Sequence, residues 1–351
     1  MDKEKVKAVA DQVFGDMAGA MTAGLCYVGC KTGLFNAMAG RGPMTTDAVV
    51  AASGLQPRYV DEWLKGMTSA GYLDYDPTQS TFSLSEEHAY FVASEGTDHY
   101  VGGLFAMAAV LLRVAPRVAQ SFRDGGGVPF QDYGEEGVVA LDMVNRGQYE
   151  QRFASYWLKA MPETAAALES GGRALDVGCG AGRVCVALAK AFPSAEIVGL
   201  DPDGESIAQA SQAAADENVA SRVRFLAKRT DEIDRNAGFD LVTACDCIHD
   251  FAKPVETLRD IRALLKPTGA LFIMEPKVAD NLEDNRNDMA TMFYGFSVFH
   301  CMTQSLAQGG PGLGTCMGPA KTEALVREAG FTQFERLNVK SQAFLFYAAR
   351  P

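Results

Sequence analysis

Apolar residues recur at helical spacing through most of the first 160 residues, then give way to short apolar runs separated by helical stretches. From about residue 10 to 95 the pattern predicts short helices ending in a hairpin. Ala20 to Met38 reads as an apolar helix broken at Gly33. Thr45-Thr46-Asp47 supplies an N-cap for Ala48 to Ala52, and Gly54 stops that helix. Pro57 opens the next helix, which runs through Ala70 with Tyr59, Val60, Trp63, Leu64 and Met67 apolar, and Gly71 ends it. Tyr72–Tyr75 and Thr81–Leu84, on either side of the turn Asp76-Pro77-Thr78, predict a two-stranded wing. Three helices and a wing make a winged helix-turn-helix over residues 1–95.

Residues 96–168 read as a helical linker or lid, with the apolar stretch Val101 to Ala119, a Gly125-Gly126-Gly127 turn, and Phe153, Tyr156 and Trp157 at helical spacing. Most of these aromatics suit a core stripe, and one or two could face a ligand. From 169 to 351 strands and helices alternate, with strands expected at 173–177, 196–200, 222–226, 239–244, 269–275, 331–337 and 343–349. That alternation predicts an α/β fold, a seven-stranded Rossmann-like sheet with helices on both faces. The last two strands have no helix between them and should form an antiparallel hairpin at one edge. Open sheets of this kind bind ligands outside the carboxyl ends of their strands. Asp176, Asp201, the 228–231 turn, Asp246 and Glu275 therefore surround one crevice.

The chain of 351 residues is 48% hydrophobic and 22% charged, ordinary for a globular protein. Its net charge of −12 argues against nucleic acid or an anionic membrane as partner. Residues 1–95 hold seven Lys or Arg against twelve Asp or Glu, so the winged helix lacks the usual driving force for DNA. No uninterrupted apolar stretch approaches the ~20 residues of a membrane helix, and the N-terminus has no secretory signal core. Eight cysteines without paired C-x-x-C motifs or a Cys/His grouping suggest reduced thiols in a cytoplasmic protein and no metal site.

The chemistry begins at Asp176-Val177-Gly178-Cys179-Gly180-Ala181-Gly182, where an acid precedes Gly-x-Gly-x-Gly and a helical pattern follows. Glycines let the backbone turn sharply off a strand and approach a ligand closely. The third glycine comes one residue earlier than in the dinucleotide fingerprint. An acid ahead of the loop suits a cationic amino group rather than a phosphate. Asp201, at the end of the next strand, stands 23 residues after Gly178 and can accept hydrogen bonds from two ribose hydroxyls. Together these resemble the S-adenosylmethionine site of class I methyltransferases. The resemblance implies S-adenosyl-L-methionine as cofactor, held by Asp176, Gly178, Cys179, Gly180, Gly182, Asp201, Pro202, Thr230, Asp231 and Cys245.

After the fourth strand the chain reads Ile248-His249-Asp250-Phe251. Methyl transfer from a sulfonium needs alignment and, for a hydroxyl acceptor, removal of a proton; histidine suits that role near neutrality. The other use of such a histidine is to cap a loop. This motif, with the helix Val255 to Leu265 and the strand ending at Glu275, resembles small-molecule O-methyltransferases of the plant caffeate and bacterial polyketide type. It also resembles a bacterial group of winged-helix methyltransferases. The resemblance covers nearly the whole chain and implies His249 as general base, Glu275 as the acid that holds it, and a homodimer through the N-terminal domain. Two departures stand out. Arg229 occupies the place of the carboxylate that meets adenine, leaving Asp231 or backbone and apolar contacts for that task. Thr315-Cys316-Met317-Gly318 offers no second acid to flank the base. Met289, Met292, Phe293, Tyr294, Phe296, Phe299, His300 and Met302 are expected to line an apolar acceptor cavity. The alternative function is a metabolite-sensing regulator with a non-catalytic methyltransferase fold, which the low basicity of residues 57–70 disfavours.

Overall fold

A computed structural model of the protein describes residues 1–236 and 238–351. The chain divides into two compact units, one of residues 1–110 with 143–147, the other of 111–142 with 148–351. The segment 96–168 is thus shared between them.

The first unit opens with α1 (Lys3–Thr32), followed by α2 (Leu34–Met38), α3 (Thr46–Ser53) and α4 (Pro57–Ser69), the strands β1 (Asp74–Asp76) and β2 (Thr81–Ser83), and α5 (Glu86–Val92). Helix α1 starts well before the predicted Ala20, because Asp2 caps the amides of Glu4 and Lys5. Gly33, left-handed at φ 74°, ends it as expected. A core of Cys26, Phe35, Met38, Val60, Trp63, Leu64, Met67 and Phe82 joins these elements. Trp63 donates its indole N–H to the Leu25 carbonyl at 2.9 Å, and packs edge-on to Phe35 at 5.1 Å. A side chain at Gly29 would come within 2.6 Å of both rings, so only glycine fits that helical position. Most of α1 is unpartnered, with Val6, Val13, Phe14, Met17 and Met21 all exposed.

Helix α6 (Gly102–Asp124) runs from the first unit into the second, and α7 (Gly134–Arg152) and α8 (Pro162–Glu169) precede the sheet. By length and composition α1 and α6 could each cross a membrane, which the uninterrupted-stretch criterion did not register.

The sheet contains β3 (Arg173–Val177), β4 (Glu196–Asp201), β5 (Val223–Ala227), β6 (Phe239–Cys245), β7 (Leu265–Pro276), β8 (Gln333–Arg336) and β9 (Phe344–Arg350). Their order is β5-β4-β3-β6-β7-β9-β8. The first five are parallel, and β9 runs antiparallel to both β7 and β8. The intervening helices are α9 (Arg183–Ala191), α10 (Gly204–Asp216), α11 (Pro254–Leu264), α12 (Asp288–Phe296), α13 (Met302–Ala307) and α14 (Pro319–Glu328). Alternation along β7 sends Ala270, Phe272 and Met274 into one core and Leu271 and Ile273 into the other. β7 begins four residues earlier than predicted, since Leu265 pairs with Phe239 across an irregularity that accommodates Pro267. β8 is shorter than predicted, because the Phe331 amide still closes the turn after α14 by bonding Val326.

The chain winds outward from β3 through β4 to β5, then returns to place β6 on the other side of β3. The crevice between the carboxyl ends of β3 and β6 is therefore the switch point where ligands bind in open α/β sheets.

Candidate active site

The turn after β3 is set by its glycines. Gly178, Gly180 and Gly182 have φ of 69°, 49° and 74°, values that side chains disfavour. Around Gly182 a Cβ would meet Phe225 and Ala210 at 2.7 and 2.8 Å, whereas at Gly180 it would meet nothing within 4 Å. The loop thus packs closely behind and leaves open space in front of Gly180.

Two carboxylates brace this loop. Asp176, on β3, is buried and accepts from the Thr243 hydroxyl at 2.6 Å and the Cys185 thiol at 3.6 Å. Burial raises its pKa to about 7; those two donors lower it and Asp201 raises it further. Asp201 accepts from the amides of Gly180 at 3.0 Å and Asp203 at 2.9 Å. Burial pushes its pKa up as well. A carboxylate offers about four acceptor sites, so two remain for other donors. Pro202 follows directly. Cys179 and Cys245 are both buried at this edge.

At the end of β5, Thr230 is buried while Arg229 and Asp231 are exposed and joined by two 3.1 Å contacts. The Asp231 carboxylate is therefore already engaged by the guanidinium that displaced the expected acid.

Beyond β6, Asp246 adopts φ 57°, unusual for a residue with a side chain, and a short 3-10 turn presents His249. His249 and Glu275 are both buried. Glu275, at the end of β7, accepts from the Ile248 amide at 3.0 Å and contacts His249 Nδ1 at 2.5 Å. An ionised carboxylate only accepts, so Nδ1 carries a proton, and Nε2 has a free lone pair whenever the ring is neutral. Burial opposes charge on the ring, but Glu275 and Asp250 outweigh it and hold the pKa well above 6.5. Nε2 lies 3.6 Å from Asp250 Oδ1. At the position lacking the second acid, Gly314 donates its amide to the His249 carbonyl, and the Thr315 side chain is buried.

Helices α12 and α13 are joined by a π-turn, Ser297–Cys301, and such turns concentrate at functional sites. The Phe299 carbonyl in this turn accepts from the Tyr133 hydroxyl. Phe293 and His300 are buried, Met289, Met292, Phe296, Phe299 and Met302 are half-buried, and Tyr294 is exposed, contrary to its expected place in a cavity lining. His300 meets Tyr133 and Phe130 edge-on, and burial lowers its pKa.

Four contributors carried no mark in the sequence. Arg183, the first residue of α9, makes a two-pronged pair with Asp142 at 2.7 and 2.9 Å and a third contact with Glu150 at 2.9 Å. These ties hold α7 over the glycine loop. Tyr149, half-buried, lies close enough to Asp176, Cys245 and Asp246 for their charges to raise its pKa beyond the effect of desolvation.

Residues 168–328 match a methyltransferase-domain family model, and residues 20–94 match the Rv2258c-like winged HTH domain. Among solved structures, human N-acetylserotonin methyltransferase in complex with S-adenosylmethionine superposes with a TM-score of 0.68 at 19% identity, covering 97% of each chain. An O-methyltransferase family protein from Burkholderia thailandensis gives 0.68 at 15% identity over 100% of this chain and 98% of that one. Mitomycin 7-O-methyltransferase gives 0.64 at 16% identity over 100% of both. A ubiquinone biosynthesis O-methyltransferase from Rhodopseudomonas palustris is 34% identical over 104 residues, 30% of this chain and 40% of that protein. The chain thus spans about two fifths of that curated relative. Fold and matches agree on the class: residues 168–328 are similar to methyltransferase domains and residues 20–94 to a winged HTH domain, on an α/β fold shared with solved methyltransferases.

Proposed function

We propose that the protein transfers a methyl group from S-adenosylmethionine to a hydroxyl of a small, largely apolar acceptor, with His249 as general base. The observation that carries this reading is the buried His249–Glu275 pair at the switch point, with Nε2 left as the accepting nitrogen. Glu275 is the positioning residue. The O-methyltransferase names of the curated relatives support oxygen as the acceptor atom. The direct test is incubation with S-adenosylmethionine and a panel of small phenols, followed by detection of S-adenosylhomocysteine and methyl ether. Cofactor turnover that yields only N-methyl products contradicts the reading.

In this account Gly178, Cys179, Gly180 and Gly182 form the cradle, with the open space at Gly180 admitting the cofactor. Asp201 and Pro202 face the ribose, Asp176 the amino group, and Thr230, Asp231 and Cys245 flank adenine. The Asp176 assignment has a proton-linked consequence. Its carboxyl is half protonated at about pH 7 without cofactor, and a neighbouring ammonium favours the carboxylate. Cofactor binding at about pH 6 should therefore release close to one proton, whereas at about pH 8, where a free α-amino group is itself partly deprotonated, it should release none and take up a fraction of one. Calorimetry in buffers of differing ionisation enthalpy reads this directly. Equal proton release at both pH values places the amino group elsewhere.

The exposed apolar face of α1 supports a homodimer: Val6, Val9, Val13, Met17 and Met21 recur at three- and four-residue spacing. Light scattering should give twice the 37.6 kDa chain mass, and V13D/M17D should shift it toward one chain. A wild-type monomer contradicts the dimer. The eight free thiols support a cytoplasmic setting.

A further inference from the structure

We propose that His249, Asp250 and Cys301 together bind a divalent transition-metal ion of the zinc class, at a site overlaid on the proposed base. One ring nitrogen of His249, a carboxylate oxygen of Asp250 and Cys301 Sγ lie within 4.8 Å of one another, and Nε2 is the nitrogen that Glu275 leaves available. The Nε2–Oδ1 separation is 3.6 Å. A tetrahedral ion sits ~2.0–2.3 Å from such donors, which places the donors roughly 3.3–3.8 Å apart. The Nε2–Oδ1 pair already has that spacing, and the remaining separations, all within 4.8 Å, close to it by a shift of about 1 Å.

Three further observations point the same way. Among the described residues, the buried Asp250 Oδ1 has no hydrogen-bond partner, an expensive arrangement unless something positive meets it. Whenever the ring is neutral, the Nε2 lone pair and Oδ1 face each other as two acceptors across 3.6 Å, and a cation between them meets both. The Nδ1 contact to Glu275 at 2.5 Å is the carboxylate brace that commonly stands behind a metal-bound imidazole. Thiolate and imidazole beside one carboxylate favour a zinc-class ion over magnesium or calcium. Three protein ligands leave a fourth position for water or another oxygen.

Coordination requires no redox change: the Cys301 thiol proton leaves to solvent, and the ion takes the sulfur, nitrogen and oxygen lone pairs. Because the ion occupies Nε2, zinc should suppress proton abstraction, and the metal-free protein should be the active form. This last consequence rests on His249 being the base; metal binding itself does not.

The test is titration of cobalt(II) into the full-length, metal-free protein. One ion per chain should bind, with a thiolate-to-cobalt charge-transfer band in the near ultraviolet and visible bands of tetrahedral intensity. Zinc should displace it. Cys301→Ser should lose the charge-transfer band, whereas Cys30→Ser, which alters a half-buried thiol in the first unit, should keep it. A wild-type spectrum without the thiolate band overturns the site, whatever the variants do. So does a band that persists in Cys301→Ser with unchanged circular dichroism. Zinc should lower methyl transfer at least tenfold, and a chelator should restore it. Zinc binding with full activity counts against His249 as base and leaves the metal site standing. Absence of cobalt binding to the wild-type protein, when His249→Ala abolishes methyl transfer, counts against the metal site alone.

Discussion

His249→Ala should lower methyl transfer by roughly 10²–10⁴-fold, the usual contribution of a positioned general base, with cofactor affinity nearly unchanged. The imidazole is buried, its Nδ1–H is fixed by Glu275 at 2.5 Å, and Nε2 alone is left to take a proton. The base must be neutral to act. Glu275 and Asp250 hold its pKa well above 6.5 despite burial, so the rate should rise with pH and level off only above that value. Glu275→Gln keeps the side-chain shape but removes the charge that favours the imidazolium. The rising limb should move to lower pH while the plateau falls. A variant that merely loosened the fold would lower the plateau without moving the limb. Equal activity in wild type and His249→Ala would mean that the acceptor needs no base.

Asp201→Ala should weaken cofactor binding by about 10²–10⁴-fold, read by titration calorimetry. A hydrogen bond to a charged group contributes ~1.5–3 kcal/mol, and two ribose hydroxyls would lose their acceptor together. Tenfold in affinity corresponds to about 1.4 kcal/mol, which gives the stated range. The same carboxylate also ties the Gly180 and Asp203 amides, so part of the effect comes from loosening the loop. Asp201→Asn separates the contributions, since its carbonyl oxygen keeps one acceptor and should recover part of the affinity. Unaltered binding in Asp201→Ala, with an unchanged melting midpoint, would remove Asp201 from the cofactor site.

What the sequence made legible was whatever local chemistry marks. The glycine loop could be read because three positions demand positive φ within five residues, after an apolar run that only a buried strand explains. The sheet followed from alternating periodicity, down to the antiparallel edge of β8 and β9. The pairing of His249 with Glu275 spans 26 residues and came from resemblance, since no periodicity links a strand end to a turn. The Arg183–Asp142–Glu150 network was invisible for the same reason: a long-range ion pair leaves no trace in either partner's neighbourhood. The first half of α1 was missed although its Asp2 cap was present, because no partner stripe was there to reveal a buried face. The π-turn at Ser297–Cys301 adds one residue to a helical turn. Composition alone does not encode that insertion.

The most direct measurement of the central claim is a crystal structure of the protein with S-adenosylhomocysteine and a phenolic acceptor. The account expects the ribose hydroxyls on Asp201, the amino group beside Asp176, and the acceptor hydroxyl within hydrogen-bond reach of His249 Nε2, in line with the sulfur. Cofactor bound away from the Gly178–Gly182 loop, or an acceptor oxygen remote from Nε2 in an otherwise productive alignment, would contradict it.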